Sequence, residues 1–304
     1  MTIPIAKALT GVFGPVVTNF DDASGELASG PFRANIKAHI AAGLAGVLVC
    51  GSTGEAALLD EDERLRLTEL ARPLVPDDRW LFTGTGAEST RDCVRRSKDA
   101  AERGADAVLV VPPHYYGAAM TEDALWAHYS RVADESPVPV ILYNIPKYTH
   151  LPLAASLVHA LAEHPNIVGI KDSTGDMTQL RAYLDAQSDH FTVLTGHAGT
   201  VLDAMGYGAR GAILAVALFA APLVFDLMDS ISHGDGVTAS EVQARVKPIA
   251  KAIVAELGPP GIKVAMDLIG LTGGLPRAPL RPLGTAERER VATLLGTAGL
   301  ARVA

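Results

Sequence analysis

The chain has 304 residues, 48% of them hydrophobic, and a formal net charge of −8. That is ample for a large core, arranged as two ordinary domains or as one barrel with an extension. The acidic balance and the lack of any basic run argue against nucleic acid or an anionic membrane as partner.

Strand-like apolar runs alternate with helical stretches along most of the chain. The first run, residues 11–20, is followed by 30–42, where Phe32, Ile36 and Ile40 fall at helical spacing. Run two, 46–50, leads to a helix over 60–75 that opens with acids and carries Leu65, Leu67 and Leu70. Run three, 80–85, precedes a helix over 89–103, and run four, 107–111, precedes one over 121–133. Run five, 138–143, is followed by 153–163, run six, 167–171, by 176–184, and run seven, 191–195, by 199–207. The eighth run is 211–216. No apolar run reaches the ~18 residues of a membrane span, and residues 1–10 lack the long apolar stretch of a signal peptide. Cys50 and Cys93 are the only cysteines and form no CxxC, so two buried, reduced thiols in a cytoplasmic protein are expected.

Eight alternations of ~25–30 residues indicate a parallel sheet, and eight is the number that closes a TIM barrel. An open doubly wound sheet would usually carry a glycine-rich phosphate loop after its first strand. Here that strand runs into Val17-Thr-Asn-Phe-Asp21 instead. GTGAES at 84–89 ends in serine where the dinucleotide fingerprint needs glycine, so it reads as a close-packed strand end. From residue 217 onward only helical patterns remain, at 222–232, 238–257, 259–271 and 285–300. The expected organisation is α/β: a (β/α)8 TIM barrel over residues 1–220 that carries the catalytic site, and a C-terminal helical extension, 221–304, packed on it.

Such barrels place their active sites at the C-terminal ends of the strands. Run two ends in GSTGE (51–55), run four enters PPHYY (112–116), run five ends in YNIP (143–146), run six in Lys171 and run seven in TGH (195–197). A lysine at a strand end can simply lift its ammonium to water. Desolvated in a cleft, a lysine gives up its proton more readily, and a neutral amine attacks a carbonyl to form a Schiff base. Tyr143 reads either as core or as a proton carrier beside that amine, and Tyr115 and Tyr116 share the ambiguity. Gly51, Ser52, Thr53 and Gly54 suit an ordinary turn and helix cap, or a cradle for a carboxylate. Glu55 reads as structural, satisfying donors in this turn. Asp172 follows the lysine, so strand alternation points it away from the barrel interior. His114, His150 and His197 lie near strand ends and permit a metal site, but no HxH or HExxH spacing supports one.

GSTGE (51–55), YNIP (143–146) and GIKDSTG (169–175), in this order and on these strands, resemble the dihydrodipicolinate synthase/N-acetylneuraminate lyase family of class I aldolases. The similarity runs from Gly11 to GGLPRAPL at 273–280. The resemblance implies a lysine-imine lyase with no metal or organic cofactor, handling pyruvate and an aldehyde, and assembled as a homotetramer or homodimer. Position by position, it implies that Lys171 is the Schiff-base lysine and Tyr143 the proton carrier. Thr53, in the Gly51–Thr53 loop, would hold the pyruvyl carboxylate, with Ser173 also at the substrate. Ser52 and Tyr116 would be hydroxyls of a proton relay that continues into a neighbouring subunit, and Tyr115 would be the tyrosine offered across that boundary. Ile213 would turn its carbonyl to the substrate.

Two departures bear on the substrate. Dihydrodipicolinate synthases usually carry an arginine where this chain has Tyr148, which cannot make the bidentate carboxylate pair of arginine. Lys147 offers a point charge one position away. GAEST (86–90), HPNIVGIKDS (164–173) and GGLPRAPL look closer to 4-hydroxy-2-oxoglutarate aldolases of the same family, which release pyruvate and glyoxylate. Ser52 and Ser173 fit that group, whereas His197 replaces a smaller residue. The expected reaction is cleavage of a 4-hydroxy-2-oxo acid, 4-hydroxy-2-oxoglutarate first. The alternatives are condensation of pyruvate with aspartate semialdehyde to 4-hydroxy-tetrahydrodipicolinate, action on another 2-keto-3-deoxy sugar acid, a metal-dependent aldolase or hydratase built on the three histidines, and a non-catalytic 2-oxo-acid sensor.

Overall fold

A computed structural model describes residues 8–300. Eight parallel strands pair in sequence order and the last closes on the first. They are β1 (Gly11–Pro15), β2 (Gly46–Val49), β3 (Trp80–Gly84), β4 (Ala107–Val110), β5 (Val140–Asn144), β6 (Ile167–Asp172), β7 (Thr192–Thr195) and β8 (Gly211–Ile213). The expected (β/α)8 TIM barrel is therefore the fold. The reading of residues 1–10 as free of a leader falls, for 1–7, outside the described residues.

The connecting helices are α1 (Ser29–Ala41), α2 (Glu61–Ala71), α3 (Thr90–Glu102), α4 (Glu122–Glu135), α5 (Pro146–Thr149), α6 (Ala155–Ala162), α7 (Met177–Leu184) and α8 (Val201–Gly206). Four of them, α2, α3, α4 and α7, start on short polar side chains, which satisfy free N–H groups of a first turn. Asp60 accepts from the Glu63 N–H while Glu63 reaches back, a capping box at α2. Ser89, Thr121 and Asp176 cap α3, α4 and α7 by accepting N–H groups of the first turn. The short α5, directly after β5, has no counterpart among the sequence expectations; it is too brief for a periodic pattern.

Four further helical segments follow: α9 (Ala217–Ser232), α10 (Gly236–Ile249), α11 (Gly258–Leu268) and α12 (Thr285–Thr297), with a π-helical stretch, Ala250–Glu256, between α10 and α11. Leu218, Val224, Ile253, Ile262 and Leu295 from this tail share one apolar cluster with Val12, Val47 and Val49 of the barrel. No helix among the described residues is long and apolar enough to cross a membrane. Cys50 and Cys93 are buried and unpaired, and burial pushes both thiols up to about 12.

One irregularity decides which way the middle of the barrel faces. Val140 pairs with Ile167, but the next residue of β5, Ile141, pairs with Gly169, so β6 carries an extra residue at Val168. Alternation counted from Ile167, whose side chain packs outward, would also turn Lys171 outward. The bulge reverses the phase. Val168 joins the interior cluster with Phe13, Phe82 and Ile141, whereas Ile167 and Ile170 pack in the layer beneath the helices. Beyond the bulge, Tyr143 stands beside Lys171 and Asn144 beside Asp172.

Two histidines are buried outside the barrel mouth. Burial holds His39 on α1, and His128 on α4, down to about 4. The unfolded chain takes up these protons near pH 6.5 and the folded chain only near pH 4, so their contribution is intact above pH 6.5 and is lost as pH falls toward 4. Each can cost up to about 3 kcal/mol at the low end. We expect urea midpoints to fall between pH 6.5 and 4.5, above the range in which paired carboxylates protonate, and His39→Leu to flatten that slope. An unchanged slope in His39→Leu would remove His39 from the account.

Candidate active site

A cavity of about 380 Å³ opens at the C-terminal end of the strands. Lys171 and Tyr143 lie in its wall, each only 4% exposed. Residues paired on neighbouring strands sit about 4.8 Å apart, and the Lys171 ammonium comes to rest 4.1 Å from the centroid of the Tyr143 ring. A contact of this kind stabilises a cation over an aromatic face.

Room for the lysine comes from a missing side chain. A Cβ on Gly196, just past β7, would stand 2.0 Å from Ser173 Oγ and 2.8 Å from Lys171 Cε. Ser173 lines the same cavity. Asp172 points the other way, as alternation requires. It accepts from Asn144 Nδ2 and Thr174 Oγ1, both at 2.7 Å, and burial raises its pKa above the usual carboxylate range. Asn144 Oδ1 in turn accepts the Leu153 N–H outside the barrel.

The strand-two loop supplies the second group. Ser52 and Thr53 sit in a single 3-10 turn, Ser52–Gly54, and make no capping bond. The helix that follows uses Asp60 instead. Both residues line the cavity, and among the described residues neither hydroxyl is committed to a partner. Gly51 is buried behind them and does not line it. Gly84, in the GTGAES stretch, is the close-packed strand end expected: a Cβ there would stand 2.1 Å from the Cys50 carbonyl oxygen. Ile213, on β8, completes this side of the wall.

Glu55 is structural, but its partners lie outside its own turn. It is fully buried, 2.6 Å from Lys263 Nζ of α11, and its other oxygen accepts the Arg277 N–H at 2.8 Å.

Lys147 and Tyr148 reach the cavity from α5. Lys147 Nζ donates to the Ala255 carbonyl at 2.5 Å and lies 5.0 Å from the Tyr148 ring centroid. His197, in the loop after β7, lines the same cavity. Its Nδ1 meets Thr200 Oγ1 at 3.0 Å, and burial, helped by Lys247, holds its pKa below the ordinary imidazole value. The cavity wall therefore contains two lysines, an imidazole, and several hydroxyls, but no aspartate or glutamate. An anion is the natural occupant.

Two expected positions stand apart. Tyr115 and Tyr116 are 78% and 72% exposed, packed edge to face on each other outside the cavity. Their loop is fixed by Glu88, which accepts the N–H groups of His114 and Tyr115. The three histidines do not assemble either: His114 is engaged by Glu88 and Pro112, while only His197 lines the cavity. Among the described residues no group of three or more His, Cys, Asp or Glu could hold a metal ion.

Sequence reading missed the wall built by the C-terminal helices. Val254, Ala255, Gly258, Pro259 and Ile262 close one side of the cavity. The available signal was the Gly-Pro-Pro-Gly start of α11, where small side chains let backbone approach a site closely.

Comparison with known proteins agrees with this geometry. The model of the dihydrodipicolinate synthetase family matches residues 8–298. A 4-hydroxy-tetrahydrodipicolinate synthase of Thermodesulfovibrio yellowstonii is 34% identical over 285 residues, covering 94% of this chain and 97% of the relative. Among solved structures, the chloride-inhibited dihydrodipicolinate synthase of Acinetobacter baumannii complexed with pyruvate superposes with a TM-score of 0.90 at 30% identity, covering 96% of this chain and all (100%) of that one. YagE, a prophage protein of the same family from Escherichia coli K12 in complex with pyruvate, gives the same TM-score, 0.90, and the same identity, 30%, over 96% of this chain and 99% of its own. The chain therefore belongs to the dihydrodipicolinate synthetase family, and it is an enzyme of the lyase and aldolase class that acts through a lysine Schiff base.

Proposed function

We propose that this enzyme cleaves a 4-hydroxy-2-oxo acid to pyruvate and an aldehyde, with 4-hydroxy-2-oxoglutarate as substrate and glyoxylate as the aldehyde. The observation that carries the reading is Lys171 stacked on Tyr143 in a cavity rich in cations and hydroxyls and free of carboxylates. A 2-oxo acid with a second carboxylate suits such a wall.

Lys171 Nζ attacks C2 of the substrate, and water leaves to give an iminium ion. The iminium draws in the electron pair of the C3–C4 bond as that bond breaks. Tyr143 carries off the proton of the 4-hydroxyl, which becomes the aldehyde carbonyl, and delivers one to the enamine carbon. Water then releases pyruvate from Lys171. Ser52 and Thr53 hold the pyruvyl carboxylate, with Gly51 shaping their loop. Ser173 and Ile213 flank the imine. The distal carboxylate lies toward Lys147, Tyr148 and His197. Tyr115 and Tyr116, exposed in one chain, face a second copy in a homodimer or homotetramer.

The test is pyruvate release from a panel of 4-hydroxy-2-oxo acids, run beside condensation of pyruvate with aspartate semialdehyde. We expect 4-hydroxy-2-oxoglutarate to give the highest kcat/KM. Faster condensation with aspartate semialdehyde would make the enzyme a synthase like its curated relatives.

A further inference from the structure

The turn that carries Ser52 and Thr53 is anchored from outside the cavity. Glu55, the residue that ends it, adopts a left-handed backbone, φ 58°, which a non-glycine residue holds only when its surroundings fix it. What fixes it is the side chain. One carboxylate oxygen meets Lys263 Nζ at 2.6 Å, with both side chains fully buried, and the other accepts the Arg277 N–H. Lys263 Nζ also donates to the Leu275 carbonyl at 2.8 Å and lies 4.8 Å from the centroid of the Phe20 ring. Thr18 Oγ1 donates to the Gly54 carbonyl at 2.6 Å from the same side. None of Thr18, Lys263 and Arg277 lines the cavity, whereas Ser52 and Thr53 do, and among the described residues their two hydroxyls have no partner.

Lys263 belongs to the helix whose Ile262, Pro259 and Gly258 wall the cavity. One rigid element therefore closes the site and grips the turn from behind. A buried ion pair contributes little net stability, because desolvation offsets its attraction; its better use is to specify one geometry. We propose that Glu55 and Lys263 are positioning residues for the 2-oxo acid: their ion pair locks the Ser52–Thr53 turn where it receives the pyruvyl carboxylate. They touch no reacting atom, so their removal weakens capture of the substrate more than turnover once the imine has formed.

This inference rests on the proposed imine at Lys171, so the experiment separates the two. Full-length wild type and the double variant Glu55→Gln/Lys263→Met are trapped with borohydride over a range of pyruvate concentrations, and adduct is measured by intact mass. The double variant keeps side-chain shape and leaves no unpaired buried charge. The half-saturating pyruvate concentration is expected to rise about tenfold or more, the worth of one charge-assisted hydrogen bond lost to the carboxylate. The rise in KM for cleavage should match it, with kcat within about threefold of wild type. Lys263→Arg, which keeps the charge, should recover most of the affinity. A wild-type enzyme that traps no adduct overturns the imine reading. Trapping by the double variant at wild-type pyruvate concentrations, or a fall in kcat as large as the fall in kcat/KM, overturns the positioning role alone.

Discussion

Lys171→Ala is expected to lower pyruvate release by at least about 10⁴-fold and to abolish the borohydride-trapped adduct, because no other group in the cavity can form the imine. Lys147, the other lysine of the wall, is held by the Ala255 carbonyl and by the Tyr148 ring. The same change should leave the fold intact. The Lys171 ammonium has no carboxylate partner among the described residues, only the Tyr143 ring at 4.1 Å. Removing a buried polar group that has no hydrogen-bond or ion-pair partner among the described residues relieves a cost that the folded state carries. Thermal midpoints equal to or above wild type, together with lost activity, would mark the lysine as kept for chemistry. A variant that still gives the pyruvate adduct would sink the assignment.

Tyr143→Phe should separate imine formation from cleavage. The phenyl ring preserves the packing around Lys171, and only the hydroxyl goes. Loss of a positioned proton carrier typically costs about 10²–10⁴-fold. We expect kcat for cleavage to fall within that range while pyruvate still yields a trapped adduct on Lys171. Exchange of the C3 protons of pyruvate, followed by NMR, should slow in parallel, since it uses the same proton transfer. Cleavage within tenfold of wild type would assign the proton to another group.

The barrel was legible because its signals are local and repeated. Apolar runs, capping residues such as Asp60, Ser89 and Asp176, and their regular spacing all act within a few neighbours. That the lysine, the tyrosine and the strand-two hydroxyls meet at one cavity was legible because strand ends converge in a closed barrel, whatever lies between them; their roles came from the family resemblance. What was not legible depends on distant partners. Nothing near Lys263 in the chain marks it as the mate of Glu55, more than two hundred residues away. Nor does a helical pattern after residue 217 reveal that Gly258, Pro259 and Ile262 will roof the cavity. For Tyr115 and Tyr116 a single chain gives position and exposure, and their chemistry waits on what lies across the exposed face.

The extra residue at Val168 gives β6 slack in length. Many side chains could fill the places of Ile167, Val168 and Ile170 at the cost of some packing. Removing one residue between Ile167 and Lys171 erases the bulge and leaves regular alternation, with Ile167 still outward and the lysine still at the mouth beside Tyr143. Removing two, with the strands still paired, turns the lysine into the layer beneath the helices. Mutagenesis of this segment should therefore yield active substitutions and active one-residue deletions, and inactive, soluble two-residue deletions.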